Sequence, residues 1–301
     1  MFHSFQLNIK EVDAKIIKDE LEAMGHKVRL FDYLESTPIK SADINIFLAQ
    51  FKKELFFKAK LNWFLANPDF CSSRPEDIRK FDLVLCKTQE AMRIFAPYSQ
   101  EAYFLGFMSH NFYNESIKKN YDKFLHLAGK SVMKGTDEVV KTWKNHPELP
   151  LLTLIKRDAT NIPPLKNVKL ITNYLPRKAL IKEQNECGFH VCPSKTEGFG
   201  HYLMEAMAVG AVVITTDAPP MNEFILDKRC LVKYKGTSQQ YYAITYMVDE
   251  RDLAKKIKAL RKLPPEELEA IGLANQEHYH MKVNDFKENF KRLMDQVSHS
   301  K

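Results

Sequence analysis

No apolar run in this 301-residue sequence is long enough to cross a bilayer. The most apolar stretch, Ala206 to Ile214, is about half the length a spanning helix needs. The opening residues lack the basic-then-apolar pattern of a secretory leader, so a cytoplasmic protein is expected. Cysteine is scarce and odd in number. Cys71, Cys86, Cys187, Cys192 and Cys230 lie mostly in apolar runs, which suits buried reduced thiols rather than disulfides. Cys187 and Cys192 have no second Cys or His pair at ligand spacing, and His278-Tyr279-His280 reads as a helix surface. No metal site is expected. Like charge is not gathered into blocks: the net +7 is spread over pairs such as Lys52-Lys53, Lys118-Lys119 and Lys255-Lys256. That patterning argues against a nucleic-acid partner and for a solvated surface. Its sign suits an anionic small-molecule substrate or peripheral contact with an acidic membrane. Low-complexity tracts and tandem repeats are also missing.

What is present is an ordinary globular balance, 45% hydrophobic and 28% charged, with room for two modest domains. The dominant rhythm is a short apolar run, a turn and a helical pattern, the sign of βα units and a parallel sheet. In the first part the pattern predicts a helix from Glu11 to Met24, ended by Gly25. Strands are expected at Val28–Phe31, Ile44–Leu48, Leu61–Leu65, Leu83–Cys86 and Tyr103–Leu105, with a helix at Gln89–Phe95. The polar stretch from Ser109 to Asp122 reads as a crossing between domains. The rhythm then returns more clearly. Strands are expected at Phe124–Ala128, Leu151–Ile155, Lys169–Ile171, Phe189–Cys192, Val212–Thr215 and Cys230–Val232. Helices are expected at Thr136–Trp143, Pro176–Glu183, Tyr202–Ala208 and Leu253–Leu260. At the end, Pro264 and Pro265 open one helix, and Asn284 is placed to cap another running to Val297. Open parallel sheets bind ligands beyond the carboxyl ends of their strands. That directs attention to the loops after Phe124–Ala128 and Phe189–Cys192.

The second of these loops is the most informative segment: Pro193-Ser-Lys-Thr-Glu197-Gly198-Phe199-Gly200-His201-Tyr-Leu-Met-Glu205. A strand ends, two glycines follow, and a helix begins near His201. Backbone N–H groups at such a start receive phosphate or sugar oxygens, and Gly198 and Gly200 let a ligand approach the backbone. Glu197 has an alternative reading as a cap for the helix start, and Glu205 one as a surface acid. Yet Glu205 sits among Leu203, Met204, Ala206, Met207 and Ala208, where a lone carboxylate needs a partner. Two ribose hydroxyls would serve. The first loop, Gly129-Lys130-Ser131-Val-Met-Lys134-Gly135-Thr136, lacks the full spacing of a P-loop. By itself it reads equally as a diphosphate cradle or an ordinary strand-to-helix turn.

Together the two segments resemble the retaining glycosyltransferases of GT-B architecture, glycosyltransferase family 4. Glu197 and Glu205 match the family's E-x7-E motif around Gly-Phe-Gly, and the Glu-Ala-Met-Ala-x-Gly run matches at Glu205 to Gly210. Gly129, Lys130, Lys134 and Gly135 match its upstream Gly-Arg/Lys…Lys-Gly element. The likeness is specific from about Phe124 to Ile225. It implies an α/β fold of two Rossmann-like α/β/α domains whose parallel sheets face a central cleft. Residues 1–115 would form a small acceptor-side domain and 116–282 the nucleotide-sugar domain. Residues 283–301 would form a final helix crossing back to the first.

The implied reaction moves a hexose from a nucleotide diphosphate sugar, of UDP-glucose or GDP-mannose type, to a hydroxyl on a glycan, lipid or protein-linked sugar. Anomeric configuration would be retained. By the resemblance, Lys130 and Lys134 neutralise the diphosphate, Glu205 accepts from ribose, and Glu197 contacts donor-sugar hydroxyls. The N–H groups of Phe199 to His201 face sugar or phosphate oxygens. No residue stands out as a nucleophile, so a front-face route is expected, with the lysines in the place of a divalent metal and no cofactor besides the co-substrate. Two departures weaken the first domain: no glycine precedes Gly25 where the family has a Gly-rich loop, and Asn67 stands where a His usually contacts the sugar. Asn67 or Asp69 could take that contact, although Asn-Pro-Asp is also a plain turn. His110, at the crossing, lines the cleft or serves as a hinge residue. The rival readings are an enzyme related to nucleotide-sugar epimerases or glycogen phosphorylase, and a degenerate transferase that binds without catalysis.

Overall fold

The computed structural model describes residues 3–8, 11–31, 41–159 and 161–299. The chain divides into two compact units. Unit 1 comprises Met1–Met108, Gln240–Ala243 and Lys282–Lys301; unit 2 comprises Ser109–Gln239 and Ile244–Met281.

Unit 1 is built on β1 (Ser4–Asn8), α1 (Glu11–Ala23), β2 (Lys27–Phe31), β3 (Ala42–Leu48), β4 (Ala59–Ala66), α2 (Pro75–Ile78), β5 (Leu83–Cys86), α3 (Gln89–Phe95) and β6 (Ala102–Phe104). The six strands are all parallel, in the order β2-β1-β3-β4-β5-β6. Strand β1, which the sequence pattern did not single out, pairs on both edges: Phe5 lies opposite Val28 on one side and Ile44 on the other. The position after it, where a Gly-rich loop is the family's habit, falls at Ile9 and Lys10 and lies outside the described residues. The core on one side of this sheet is aromatic. Phe64 stacks on Phe81 with ring centres 5.0 Å apart, and Phe51 meets Phe81 edge-on at 4.7 Å. Helix α3 starts where the Thr88 hydroxyl accepts from the Ala91 N–H, satisfying one of the unpaired donors of its first turn.

Unit 2 repeats the plan with β7 (Asn120–Gly129), α4 (Thr136–Asn145), β8 (Leu152–Lys156), β9 (Val168–Ile171), α5 (Arg177–Glu186), β10 (Cys187–Cys192), α6 (His201–Ala208), β11 (Val212–Thr216) and β12 (Leu231–Val232). Its strands are again parallel, in the order β12-β11-β10-β7-β8-β9. Every residue of β10 and β11 is buried, as expected for inner strands covered on both faces. Phe124 of β7 stacks face to face on Phe189 of β10 with ring centres 4.5 Å apart, which fixes these two strands side by side. A hairpin follows, β13 (Tyr234–Gln240) and β14 (Ala243–Val248), then α7 (Glu250–Leu260) with Asp249 as its N-cap. The mostly polar, exposed β13 carries no alternation, so nothing in its sequence announced a strand.

The last element corrects an expectation. Asn284 caps no helix: α8 runs unbroken from Pro265 to His299. No proline follows Pro265 within it, and beyond Asn284 the helix keeps an apolar stripe, Phe286, Phe290, Leu293 and Met294, buried in unit 1. Packing of that stripe outweighs the weak local preference of one asparagine. Among the described residues no helix is long and apolar enough to cross a membrane.

Candidate functional site

In the sheet of unit 2, β7 and β10 are neighbours, and strand order runs outward in opposite directions from them. Loops leaving two such strands diverge, and the gap between them is where open α/β sheets receive ligands. The two loops singled out by sequence are the ones that leave β7 and β10.

Glycine sets their shape. Gly129 turns the chain at φ +57°, and a Cβ there would find no atom within 4 Å, so the space above it is open. Gly135, at φ +68°, could bear no side chain, because a Cβ would lie 2.1 Å from the carbonyl oxygen of Pro193. The β7 loop therefore lies directly on the β10 loop, and the Lys195 N–H donates to the Met133 carbonyl across them at 2.7 Å. Gly200, at φ +110°, turns the chain into α6.

Lys134 and Glu197 meet at this contact. The Lys134 ammonium donates to Glu197 Oε1 at 2.5 Å, and both side chains are largely buried. The ammonium also lies 3.7 Å above the ring of Tyr202. Glu197 accepts a second hydrogen bond from the Ser194 hydroxyl, and that hydroxyl is 2.5 Å from the Tyr202 hydroxyl. Burial holds the Tyr202 phenol well above its ordinary pKa, so it stays protonated. Glu205, one turn into α6, accepts from the Gln184 amide at 3.1 Å. Desolvation pushes its carboxyl up to about 7, against the opposing hydrogen bond from Gln184 and the charges of Lys134 and Arg177. Lys134 thus stands within electrostatic reach of both acids.

Two histidines tie these loops to their surroundings. His126 bridges the Val191 carbonyl, at 2.6 Å from Nδ1, and the Thr136 hydroxyl, at 3.0 Å from Nε2. Burial lowers its pKa to about 4, so it is neutral at physiological pH. Its Nδ1–H then donates to the carbonyl and its Nε2 accepts from the threonine. This one ring ties the strand before Glu197 to the residue that opens α4 after Lys134. At the start of α6, His201 Nδ1 lies 2.6 Å from the Ser109 hydroxyl, and the Tyr279 phenol donates to the Ser109 carbonyl at 2.7 Å.

The structure thus gathers Lys134, Glu197 and Glu205 around the glycine-shaped loops that carry Gly129, Gly198, Phe199, Gly200 and His201. Lys130 stands at the rim, exposed, and forms no part of that buried network. Asn67 and Asp69 belong to unit 1, in a turn after β4, where the Asn67 carbonyl accepts from the Phe70 and Cys71 N–H groups. The Asn67 side-chain oxygen is buried without a hydrogen-bond partner. His110 lies in unit 2 beside Phe112, ring centres 5.9 Å apart. Sequence reasoning passed over Ser194, Tyr202, His126 and Gln184. Tyr202 and His126 sit in apolar periods that signal core, and Gln184 lies just past the expected helix Pro176–Glu183, which in the structure continues to Glu186. Ser194 lay in the Val-Cys-Pro-Ser lead-in, and Tyr202 inside the matched Glu197 to Glu205 motif, but only as one of its unspecified positions. Among the described residues no group of three or more His, Cys, Asp or Glu side chains could hold a metal ion.

No curated protein matches the sequence. Solved structures do match the fold. A glycosyltransferase from Rickettsia africae aligns with a TM-score of 0.75 at 10% identity, over 100% of both chains. HepE of Anabaena, solved in complex with UDP-glucose, aligns with a TM-score of 0.67 at 13% identity, over 97% of this chain and 100% of its own. The pneumococcal O-GlcNAc transferase GtfA, solved with UDP and GlcNAc, aligns with a TM-score of 0.64 at 17% identity, over 85% of this chain. This chain spans 57% of the length of that last one. At such identities the likeness speaks for the fold, which is GT-B. The family model described as glycosyl transferases group 1 matches residues 114–277, more than half of the chain, with Lys134, Glu197 and Glu205 inside it. By that match, and with the glycine loops and paired acids it encompasses, the chain belongs to the glycosyl transferases group 1 family.

Proposed function

We propose that this chain is a retaining hexosyltransferase that takes a hexose from a nucleotide diphosphate sugar and delivers it to a hydroxyl acceptor. The observation that carries the reading is the convergence of Lys134, Glu197 and Glu205 at the β7–β10 gap. A pyrophosphate leaving group gains negative charge as the glycosidic bond breaks, and a preset cation stabilises that change without reorganising. Lys134 fills this role, joined by Lys130 from the rim. Glu205 receives the ribose hydroxyls, and Glu197 the hydroxyls of the donor sugar. The N–H groups of Phe199 to His201 take sugar or phosphate oxygens at the start of α6. Asn67, Asp69 and His110 are our candidates for acceptor-side contact, and the unpaired Asn67 oxygen suits a sugar hydroxyl.

UDP-glucose is the first donor to try, because HepE, of the same fold, was solved with it; GDP-mannose is the second. The acceptor class is a glycan, lipid or protein-linked sugar, with chemistry independent of divalent metal, in the cytoplasm or at the surface of an acidic membrane.

A panel of nucleotide sugars screened by thermal shift tests the donor reading. A true donor raises the melting midpoint, since it binds only the folded state. Proton NMR of the product from that donor then reports the anomeric configuration, with and without EDTA. Retention in both samples is the expected result. An inverted product, or activity abolished by EDTA and restored by manganese, would overturn the mechanism. A panel with no stabilising donor would overturn the function.

A further inference from the structure

We infer that Tyr202 is the positioning residue for Lys134 and Glu197, acting on the cation with its ring and on the acid through its hydroxyl. The inference rests on the donor reading above and deepens it. The paired-acid motif places a glutamate on each side of this position.

The Lys134 ammonium lies 3.7 Å over the Tyr202 ring, and Tyr202 as a residue is 8% exposed. A desolvated aromatic face attracts a cation through its quadrupole. Unlike a carboxylate, it does so without claiming a particular N–H. Lysine has three donors. One goes to Glu197, and the ring holds the ammonium in place while the others stay available to pyrophosphate oxygens. A second carboxylate in the position of the ring would hold the lysine as firmly and repel the diphosphate. The ring therefore supports the cation at no electrostatic cost to the ligand.

The hydroxyl reaches the other arm. Ser194 has one proton, and it is donated to Glu197 Oε1. The Ser194 oxygen must then accept, so the Tyr202 phenol donates to it over 2.5 Å. The resulting chain runs from Tyr202 through Ser194 to Glu197, fixing the carboxylate that faces the donor sugar. One buried side chain thereby sets both members of the ion pair before any ligand arrives.

The test compares UDP and GDP with UMP and GMP, by calorimetry, on wild type, Tyr202→Leu, Tyr202→Phe and Lys134→Ala. Tyr202→Leu removes ring and hydroxyl, and diphosphate affinity should fall about tenfold while monophosphate affinity stays within about threefold. Tyr202→Phe keeps the ring and should keep the diphosphate preference. In the Lys134→Ala background Tyr202→Leu should cost almost nothing further, because the two residues act as one unit. Tyr202→Met fills the same space with a flexible chain and answers the same question should the leucine variant not fold. Equal losses for mono- and diphosphate, or a full additional loss on top of Lys134→Ala, would reduce Tyr202 to a packing residue while leaving the donor reading intact. Wild type that binds neither diphosphate would overturn the donor reading and this inference with it.

Discussion

In unit 1 the chain leaving β3 turns at Ala49, which holds its side chain at φ +61°; in unit 2 the chains leaving β7 and β10 turn at Gly129, Gly135 and Gly200. The two units otherwise share a plan, six parallel strands with helices between. On one side of the unit 1 sheet, Phe47, Phe51, Phe56, Phe64 and Phe81 close the space with rings. In unit 2 the corresponding resources go to a buried cation, two acids and the hydroxyls that hold them. A parallel sheet offers a ligand site at its strand ends, but whether one forms depends on whether the backbone there can be approached.

The largest effect expected from this contrast is on stability. Phe81→Ala should destabilise the protein by about 3–5 kcal/mol, the range for truncating a buried phenylalanine, read as a lower midpoint in urea. Nucleotide-sugar affinity should stay within about twofold. A loss of donor binding as large as that of a site variant would break the division of labour between the units.

Next is Gly135→Ala, which drives a Cβ to 2.1 Å from the Pro193 oxygen and should cost about 3 kcal/mol or more. Gly129→Ala meets no atom and pays only for its left-handed backbone, about 1–2 kcal/mol. Equal costs by denaturant titration would mean that the two loops do not lie against each other.

Lys134→Ala should lower turnover by about a hundredfold, as the loss of one preorganised stabilising group does elsewhere, with steady-state kinetics as the measure. A drop below threefold would remove the lysine from the chemistry.

A pH dependence is expected at Glu205 as well. Its carboxyl titrates at about 7 in the folded chain against an ordinary 4.5, so between those values the folded state holds a proton the unfolded state has lost. That contribution to stability is complete below about pH 4.5 and disappears as pH rises through 7. Glu205→Gln should therefore melt above wild type at pH 8 and level with it near pH 4. A pH-independent difference would place the carboxyl in a solvated setting. His126 titrates in the opposite sense: held neutral down to about 4, it lowers stability as pH falls through the ordinary histidine range. The Glu205 comparison is thus made between variants at one pH rather than across pH in one protein.

Much of this was readable in residue order. Short apolar runs separated by turns mark β7, β8, β10 and β11, because buried parallel strands need uninterrupted apolar faces. Glu197, Gly200 and Glu205 were legible because loop glycines and a carboxylate in an apolar helix are costly unless used. The strand β1 was not legible, since Ser4–Asn8 has only Phe5 and Leu7 to mark it. The continuation of α8 past Asn284 depends on Phe286 meeting Phe107, ring centres 5.2 Å apart, a contact between residues far separated in sequence.

The sequence by itself determined that unit 2 would be a βα sheet with two glycine-bearing loops and two acids eight positions apart, for these follow from spacing along one chain. Only tertiary structure decided that β7 lies beside β10, that Gly135 rests on Pro193, and that Lys134 reaches Glu197 over the ring of Tyr202. Strand order and side-chain packing are set by burial summed over the whole core, and no local window of residues contains that sum.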